Sequence, residues 1–268
     1  MKTLSLHYDR LGHGPHFLLA FHGIGQTGHE CYQPFVETLG DHYTIYAFDL
    51  FHHGKSKGVS GNDTFSSQDV VHKEDWKALL LDFLSREKIT KFDVAGFSMG
   101  GRFALATAEV MPECIDSLIL MAPDGVVEHP LYHAATRFPP ARWLYRQVIH
   151  HPKPLFTTAD LAQKAGLLPK SMVRFVRHML ATPQSRQVIY RSWVSFRTLE
   201  FSIPGLYNQL VAHHVRVFLF MGKYDPLLPP DNVAILADRL PSHQFIVLET
   251  GHTRLVEKTA KCLKVYLK

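Results

Sequence analysis

Short apolar runs of strand length alternate with longer stretches of helical periodicity through the first half of the chain. Residues 4–8, 17–21 and 43–48 read as strands, with a helix over 30–39 between the second and third. Across residues 67–86 the apolar positions Val70, Val71, Trp76, Leu79, Leu80, Phe83 and Leu84 recur at helical spacing, which predicts an amphipathic helix with one buried stripe. Residues 91–97 follow as a strand, 100–110 as a helix stopped by Met111-Pro112, and 115–121 as an apolar strand. From 124 to 204 the rhythm stops. Only Pro-punctuated helical segments near 131–150, 158–167, 169–181 and 184–199 are visible, which reads as an inserted helical cap. The rhythm resumes with a strand over 215–221, a helix over 231–240, a strand over 244–248 and a closing helix over 254–267. The expected fold is α/β: a mostly parallel central sheet flanked by helices, with a core of residues 1–123 and 205–268 and a cap, or lid, of 124–204.

Composition narrows the classes. A chain of 268 residues suits one α/β domain plus an insertion. With 46% hydrophobic and 20% charged residues it is globular, and disorder, collagen and coiled coil are excluded. The longest apolar runs, 17–21 and 215–221, fall far short of the roughly 18 residues a membrane helix needs. The N-terminus alternates like a strand and carries no apolar signal core, so a cytoplasmic location is expected. Three cysteines, Cys31, Cys114 and Cys262, are too few for a disulfide framework or a Cys-rich zinc site and read as buried thiols. Charge is unevenly spread. Residues 124–204 hold eleven Lys/Arg against four Asp/Glu, a balance of +7, against −2 for the rest of the chain. That charge either attracts an anionic substrate, an acidic carrier or a phospholipid surface, or is the solvated face of a cap. No nucleic-acid motif accompanies it, and no nucleic-acid partner is expected.

Two motifs compete for the N-terminal half. Gly23-Ile24-Gly25-Gln26-Thr27-Gly28 matches G-x-G-x-x-G after a strand, and Asp49 stands about twenty residues further on, the pattern of a dinucleotide site with its ribose-binding acid. The second motif is Gly96-Phe97-Ser98-Met99-Gly100, set between a strand and a helix as a nucleophile elbow requires. Its glycines let the strand turn sharply into the helix with Ser98 at the apex; a helix-capping serine is the alternative. An acid and a histidine then follow later strands in the required order, Asp225 in Gly222-Lys223-Tyr224-Asp225-Pro226 and His252 in Glu249-Thr250-Gly251-His252. The loop after His22-Gly23 is able to turn a backbone N–H toward a carbonyl held at Ser98. The hydrolase reading explains four separated motifs and the dinucleotide reading one, so the former is preferred.

With these motifs the chain resembles the α/β-hydrolase superfamily over nearly its whole length, in its serine-nucleophile branch. Asp49-Leu50-Phe51-His52-His53-Gly54-Lys55-Ser56 is similar to the family's D-x-x-G-x-G-x-S segment, with His52 standing where the first Gly is usual. The resemblance implies a triad of Ser98, Asp225 and His252, with Asp124 as the alternative acid, and an oxyanion hole from the backbone N–H groups of Met99 and Ile24. His22 and Arg102 are the candidates for substrate contact, with His22 expected to pin its loop rather than to transfer protons, and His52 and His53 read as loop-structural. The implied chemistry is cleavage of an ester or thioester of a small acyl substrate through an acyl-enzyme, with no cofactor; no metal-ligand spacing is present. Three alternatives stay open. Ser98-Met99-Gly100-Gly101-Arg102 is similar to the segment of the menaquinone-pathway lyases that eliminate pyruvate from a cyclohexene carboxylate, where the arginine binds an anionic substrate. C–C bond hydrolases share the fold and triad, and a binding protein would use the pocket as a receptor. The cap aromatics Phe138, Trp143, Tyr145, Phe156, Phe175, Tyr190, Trp193 and Phe196 are candidates for cap packing or for an acyl pocket, and the pairs Arg174 with Arg177 and Arg186 with Arg191 for an anion. Monomer or dimer is not legible.

Overall fold

The computed structural model describes residues 5–61, 65–128 and 130–266. Seven strands form one sheet: β1 (Tyr8–Gly12), β2 (His16–Phe21), β3 (Tyr43–Phe48), β4 (Phe92–Phe97), β5 (Ile115–Met121), β6 (Arg216–Gly222) and β7 (Phe245–Leu248). Their order is β1-β3-β2-β4-β5-β6-β7, with β1 antiparallel to β3 and every other pair parallel. β3 and β4 are buried at every position because helices cover both faces of the sheet. Those helices are α1 (Gly28–Leu39), α2 (Lys73–Glu87) and α3 (Met99–Val110), then α4 (Pro130–Arg137), α5 (Pro139–His150), α6 (Lys153–Lys164), α7 (Lys170–Met179), α8 (Pro183–Phe196) and α9 (Ile203–Ala212) between β5 and β6, then a short α10 (Ala234–Ala237) and α11 (Leu255–Tyr266). α1 packs on α11, while α3 packs on β4, α2 and α9. Sheet growth reverses at β2, which has β3 on one side and β4 on the other, and in such sheets ligands bind at the carboxyl ends of the strands beside that reversal. Among the described residues no helix is long and apolar enough to cross a membrane.

Where the elements depart from the sequence reading, tertiary ties decide. Strand 4–8 is displaced: β3 ends at Phe48, opposite Tyr8, so pairing runs forward from Tyr8 to Gly12. Leu4 and the last residue of the expected helix over 254–267 lie outside the described residues. α2 starts at Lys73 rather than near 67 because the cap holds the preceding segment extended: Val71 N–H donates to Ser195 O at 2.9 Å, Thr198 Oγ1 to Val71 O at 2.6 Å, and Arg197 to Ser67 O at 2.8 Å. The segment 131–150 is two helices, since Pro139 forces Phe138 out of helical backbone (ψ 117) and then opens α5. The expected helix over 231–240 is a 3-10 turn, Pro230–Val233, followed by the single turn of α10. α9 was not anticipated; it buries Ile203, Leu206 and Leu210 and runs across the 204/205 boundary. Of the three thiols, only Cys31 is fully buried.

One buried polar relay pins α2 to α3. The indole of Trp76, fully buried, donates to Thr107 Oγ1 at 3.0 Å, and that hydroxyl donates to Phe103 O at 2.8 Å. Thr107→Val removes the acceptor while keeping the shape, leaving a buried N–H unpaired. Urea denaturation is expected to show a loss of about 1–3 kcal/mol, and adding Trp76→Phe to that variant should make the penalty of the valine smaller.

Candidate active site

Steric closeness dictates the turn after β4. A Cβ on Gly96 would lie 2.5 Å from Gly100 O and 2.7 Å from the Ala104 Cβ, and one on Gly100 would lie 2.0 Å from Phe21 O. With both positions bare, α3 sits directly on the ends of β2 and β4, and Ser98 takes up the whole reversal at φ 50, ψ −120. That is a costly backbone for a residue with a Cβ. It is held by three backbone hydrogen bonds, Ser98 N–H to Met121 O at 2.9 Å and the N–H groups of Gly101 and Asp124 to Ser98 O at 2.8 Å each. The hydroxyl makes no capping bond to α3. Met99 is the first residue of that helix, where backbone N–H groups have no intrahelical acceptor.

Asp225 and His252 come together from the ends of β6 and β7. Asp225 Oδ2 lies 2.5 Å from His252 Nδ1, while its Oδ1 accepts the N–H groups of Leu227 at 2.9 Å and Leu228 at 3.1 Å. The carboxylate is thus fixed on both oxygens and orients the imidazole with Nδ1 donating, which leaves Nε2 as the ring acceptor. Phe97 and Phe175 flank the imidazole at centroid distances of 4.8 and 6.3 Å. Asp124 is engaged elsewhere: Arg102 grips it in a two-pronged pair, Nε to Oδ2 and Nη2 to Oδ1, both 3.0 Å.

The loop after β2 hangs on two buried histidines. His22 Nδ1 donates to Gly23 O at 2.6 Å and its Nε2 accepts the Leu50 N–H at 2.9 Å. His53 Nδ1 donates to Phe51 O at 3.0 Å and its Nε2 accepts the Gly25 N–H at 3.1 Å. Each ring uses both nitrogens, one as donor and one as acceptor, which only the neutral imidazole does. Burial accordingly pushes their pKa values down, His22 to about 3 and His53 to about 4. Both ring nitrogens of His22 are thus committed to holding the loop. The dinucleotide pattern dissolves here as well. Asp49 accepts the Gly28 N–H and the Lys55 N–H at 2.9 Å each, so its carboxylate closes loops rather than facing a ribose. His52, in the place of a glycine, keeps the left-handed backbone a glycine would supply (φ 68), and its ring contacts Ser195 of the cap at 3.1 Å.

Ser98, Met99, Ile24 and His252 line one cavity of about 400 Å³, bounded on the cap side by Tyr132, Phe175 and Trp193 and otherwise walled by Val127, Leu227 and Leu228 together with the polar side chains of Asp124, Glu128 and Asn232. Arg102 is not among its walls. It is 2% exposed, and besides Asp124 its guanidinium reaches Glu128 at 3.4 Å and the cap carbonyl of Leu199 at 2.9 Å. Its donors tie α3 to the cap. Of the eight cap aromatics only Phe175 and Trp193 reach this cavity; Phe138 and Trp143 are exposed, and Phe196 is buried beneath the cap against Phe103. Tyr132 and the Leu227-Leu228 pair were missed. The only sequence signal for the latter was their position directly after Asp225-Pro226. Glu128, His133 and Glu200 offer ligand atoms within 4.8 Å of one another, but Arg137 pairs with both carboxylates.

A family model described as alpha/beta hydrolase fold matches residues 16–259. Among curated proteins, the chain is 26% identical over 263 residues to a pimeloyl-[acyl-carrier protein] methyl ester esterase of Aeromonas salmonicida, covering 92% of this chain and 91% of the relative. It is 25% identical over 270 residues to a poly(3-hydroxyalkanoate) depolymerase of Ectopseudomonas oleovorans, covering 95% and 84%. Among solved structures it is similar to a thermophilic esterase from Thermogutta terrifontis, with a TM-score of 0.68, 20% identity and coverage of 98% and 92%. It is also similar to a meta-cleavage product hydrolase from Pseudomonas fluorescens, with a TM-score of 0.63, 16% identity and coverage of 98% and 93%. At those identities the two structures establish the shared fold.

The histidine-hung loop has a measurable signature in acid. An unfolded chain takes up a proton at each of His22 and His53 near pH 6.5, whereas the folded chain resists until about pH 3 and 4. The stability tied to their neutrality is complete above pH 6.5 and declines as pH falls toward those values, at roughly 1.4 kcal/mol per pH unit for each histidine. Urea unfolding at pH 7, 6 and 5 is expected to show His53→Gln flattening this decline by about one proton. An unchanged slope would contradict the neutral assignment.

Proposed function

The chain belongs to the alpha/beta hydrolase fold family, and from that premise we propose that it is a serine hydrolase cleaving a carboxylic ester or thioester of a small acyl substrate. Ser98 Oγ attacks the carbonyl carbon while His252 Nε2 takes its proton, and Asp225 holds the imidazole in the required tautomer and stabilises its charged form. The oxygen that becomes negative is met by the N–H groups of Met99 and Ile24. The alcohol or thiol leaves with the proton from His252, and water activated by the same ring releases the acid from Ser98. One observation carries this reading: Ser98, on its strained turn, shares a cavity with a histidine whose far nitrogen is held by a carboxylate pinned on both oxygens. The methyl ester esterase activity named for the Aeromonas salmonicida relative supports it further. A cavity of about 400 Å³ with mainly apolar walls suits a short acyl group, and no cofactor enters the scheme.

The lyase alternative loses its main support, since Arg102 is buried behind Asp124 and Glu128, pairs with both, and does not itself line the cavity. Asp225 is preferred to Asp124 on the same grounds: one carboxylate is within bonding distance of His252, the other is gripped by Arg102.

Hydrolysis of 4-nitrophenyl acetate and of short acyl thioesters tests the assignment. Ser98→Ala is expected to lose several orders of magnitude in kcat and to escape labelling by a fluorophosphonate. Asp225→Asn should lose about 10⁴-fold in kcat, the effect of a wrong imidazole tautomer, and far more than Asp124→Asn. Near-normal turnover by Ser98→Ala, or the reverse ranking of the two aspartates in folded protein, would sink the proposal.

A further inference from the structure

Three arginines converge on a second cavity, which shares no lining residue with the one at Ser98. It has a volume of about 520 Å³ and lies between α5 and α8, beside residues 65–67. Arg142 and Arg146 stand one turn apart on α5 and so project from one face of it, and Arg191 reaches the same space from α8. Several other cap arginines are engaged: Arg137 pairs with Glu128 and Glu200, Arg177 with Asp160, and Arg186 donates to Ile149 O and Leu180 O. Among the described residues, none of Arg142, Arg146 and Arg191 is ion-paired, and no carboxylate lines the cavity. Arg142 gives one bond, to Thr136 O at 3.1 Å. The walls are aromatic. Phe65 and Tyr190 meet edge to face at 5.7 Å, the Arg191 guanidinium lies 5.8 Å from the Phe65 ring, and Trp143 stands 63% exposed beside them.

Like charges one turn apart repel and weaken a helix, and a third cation facing them adds to the repulsion. A bound anion relieves it. Guanidinium forks match the oxygens of a phosphate, which takes several of them at once, while the ring faces offer a surface for a flat apolar body. The geometry points to a binding site in the cap for a small aryl phosphomonoester, separate from the Ser98 cavity and independent of the chemistry assigned to it. The charge and the ring contact are both needed: inorganic phosphate satisfies only the arginines, and phenol only the rings.

Calorimetric titration of the full chain at low salt with phenyl phosphate, inorganic phosphate and phenol tests this. Phenyl phosphate is expected to bind more tightly than either fragment, and raising the salt should weaken it. Arg146→Gln and Arg191→Gln should each weaken it by about tenfold or more, the scale of a lost charge-assisted contact. Arg174→Gln, in an exposed cap arginine that does not line the cavity, should leave it unchanged. Arg146 is itself exposed, so its variant keeps the test decisive if Arg191→Gln fails to fold. Absence of binding at millimolar phenyl phosphate, equal binding of phenol, or the same loss in Arg174→Gln would each overturn the site. Vesicles of phosphatidic acid separate the lipid source of the same group. Sedimentation of the protein with them, without heat from phenyl phosphate, overturns the small-ligand assignment.

Discussion

The contact between β2, β4 and the first turn of α3 is the constraint on which the rest of the site depends. Two positions without side chains, Gly96 and Gly100, let the helix start on top of the strand ends, where any Cβ would overlap backbone or Ala104. Because the helix begins there, the chain has one residue in which to reverse, and that residue is Ser98 at positive φ. The strain is not a local accident. It is over-determined by bonds to Met121, Gly101 and Asp124, that is, to β5, to α3 and to the segment leading into the cap. The same closeness brings the loop after β2 beside Ser98, since Gly100 rests on the carbonyl of Phe21, the residue before His22.

Cap and core are coupled through polar groups that the sequence presented as catalytic or substrate-binding candidates. Arg102 leaves α3 four residues after Ser98 and collects Asp124, Glu128 and the Leu199 carbonyl, with the Tyr132 ring 4.8 Å from its guanidinium. Burial on its own would lower the pKa of that arginine, but Asp124, Tyr132 and Glu128 together hold it above its ordinary value. A buried cation with its donors directed at two carboxylates and a carbonyl is committed to structure. On the other side of the cap, His52 of the core reaches Ser195 and the 67–71 segment is bonded to residues 195–198.

The strand and helix rhythm was legible because parallel strands buried on both faces read as continuous apolar runs, and β2 to β5 match the expected runs to within a residue or so. The places where it was not legible share a cause. Residues 67–72 carry helical periodicity, yet Val71 is bonded to the cap on both its N–H and its C=O, a tie that local pattern does not encode. The candidate site divides in the same way. Ser98, Asp225 and His252 were visible through their position after strands, a property of order along the chain. For Arg102 and His22, residue type and proximity to a motif say nothing of direction: both point into the protein and spend their nitrogens there. Tyr132 was missed since nothing in its helix distinguishes a residue facing the cavity from one facing solvent.

The charge of the cap shows most plainly how the three-dimensional arrangement alters a count. Summed over residues 124–204 it suggests a general basic surface, but the arginines have separate fates. Arg102 in the core takes up two of the four carboxylates of that segment, Arg137 shares one of them and takes another, and Arg177 takes the last. All four acids are thereby engaged. What remains positive is not spread evenly, because Arg142, Arg146 and Arg191 face a single aromatic-walled space. Charge left over after internal pairing is the part free to act on a ligand, and α5 and α8 bring three of its arginines to one space that shares no lining residue with the Ser98 cavity. The cavity at Ser98, by contrast, has mainly apolar walls, and the charged groups among its lining residues are the carboxylates Asp124 and Glu128, which Arg102 holds from behind.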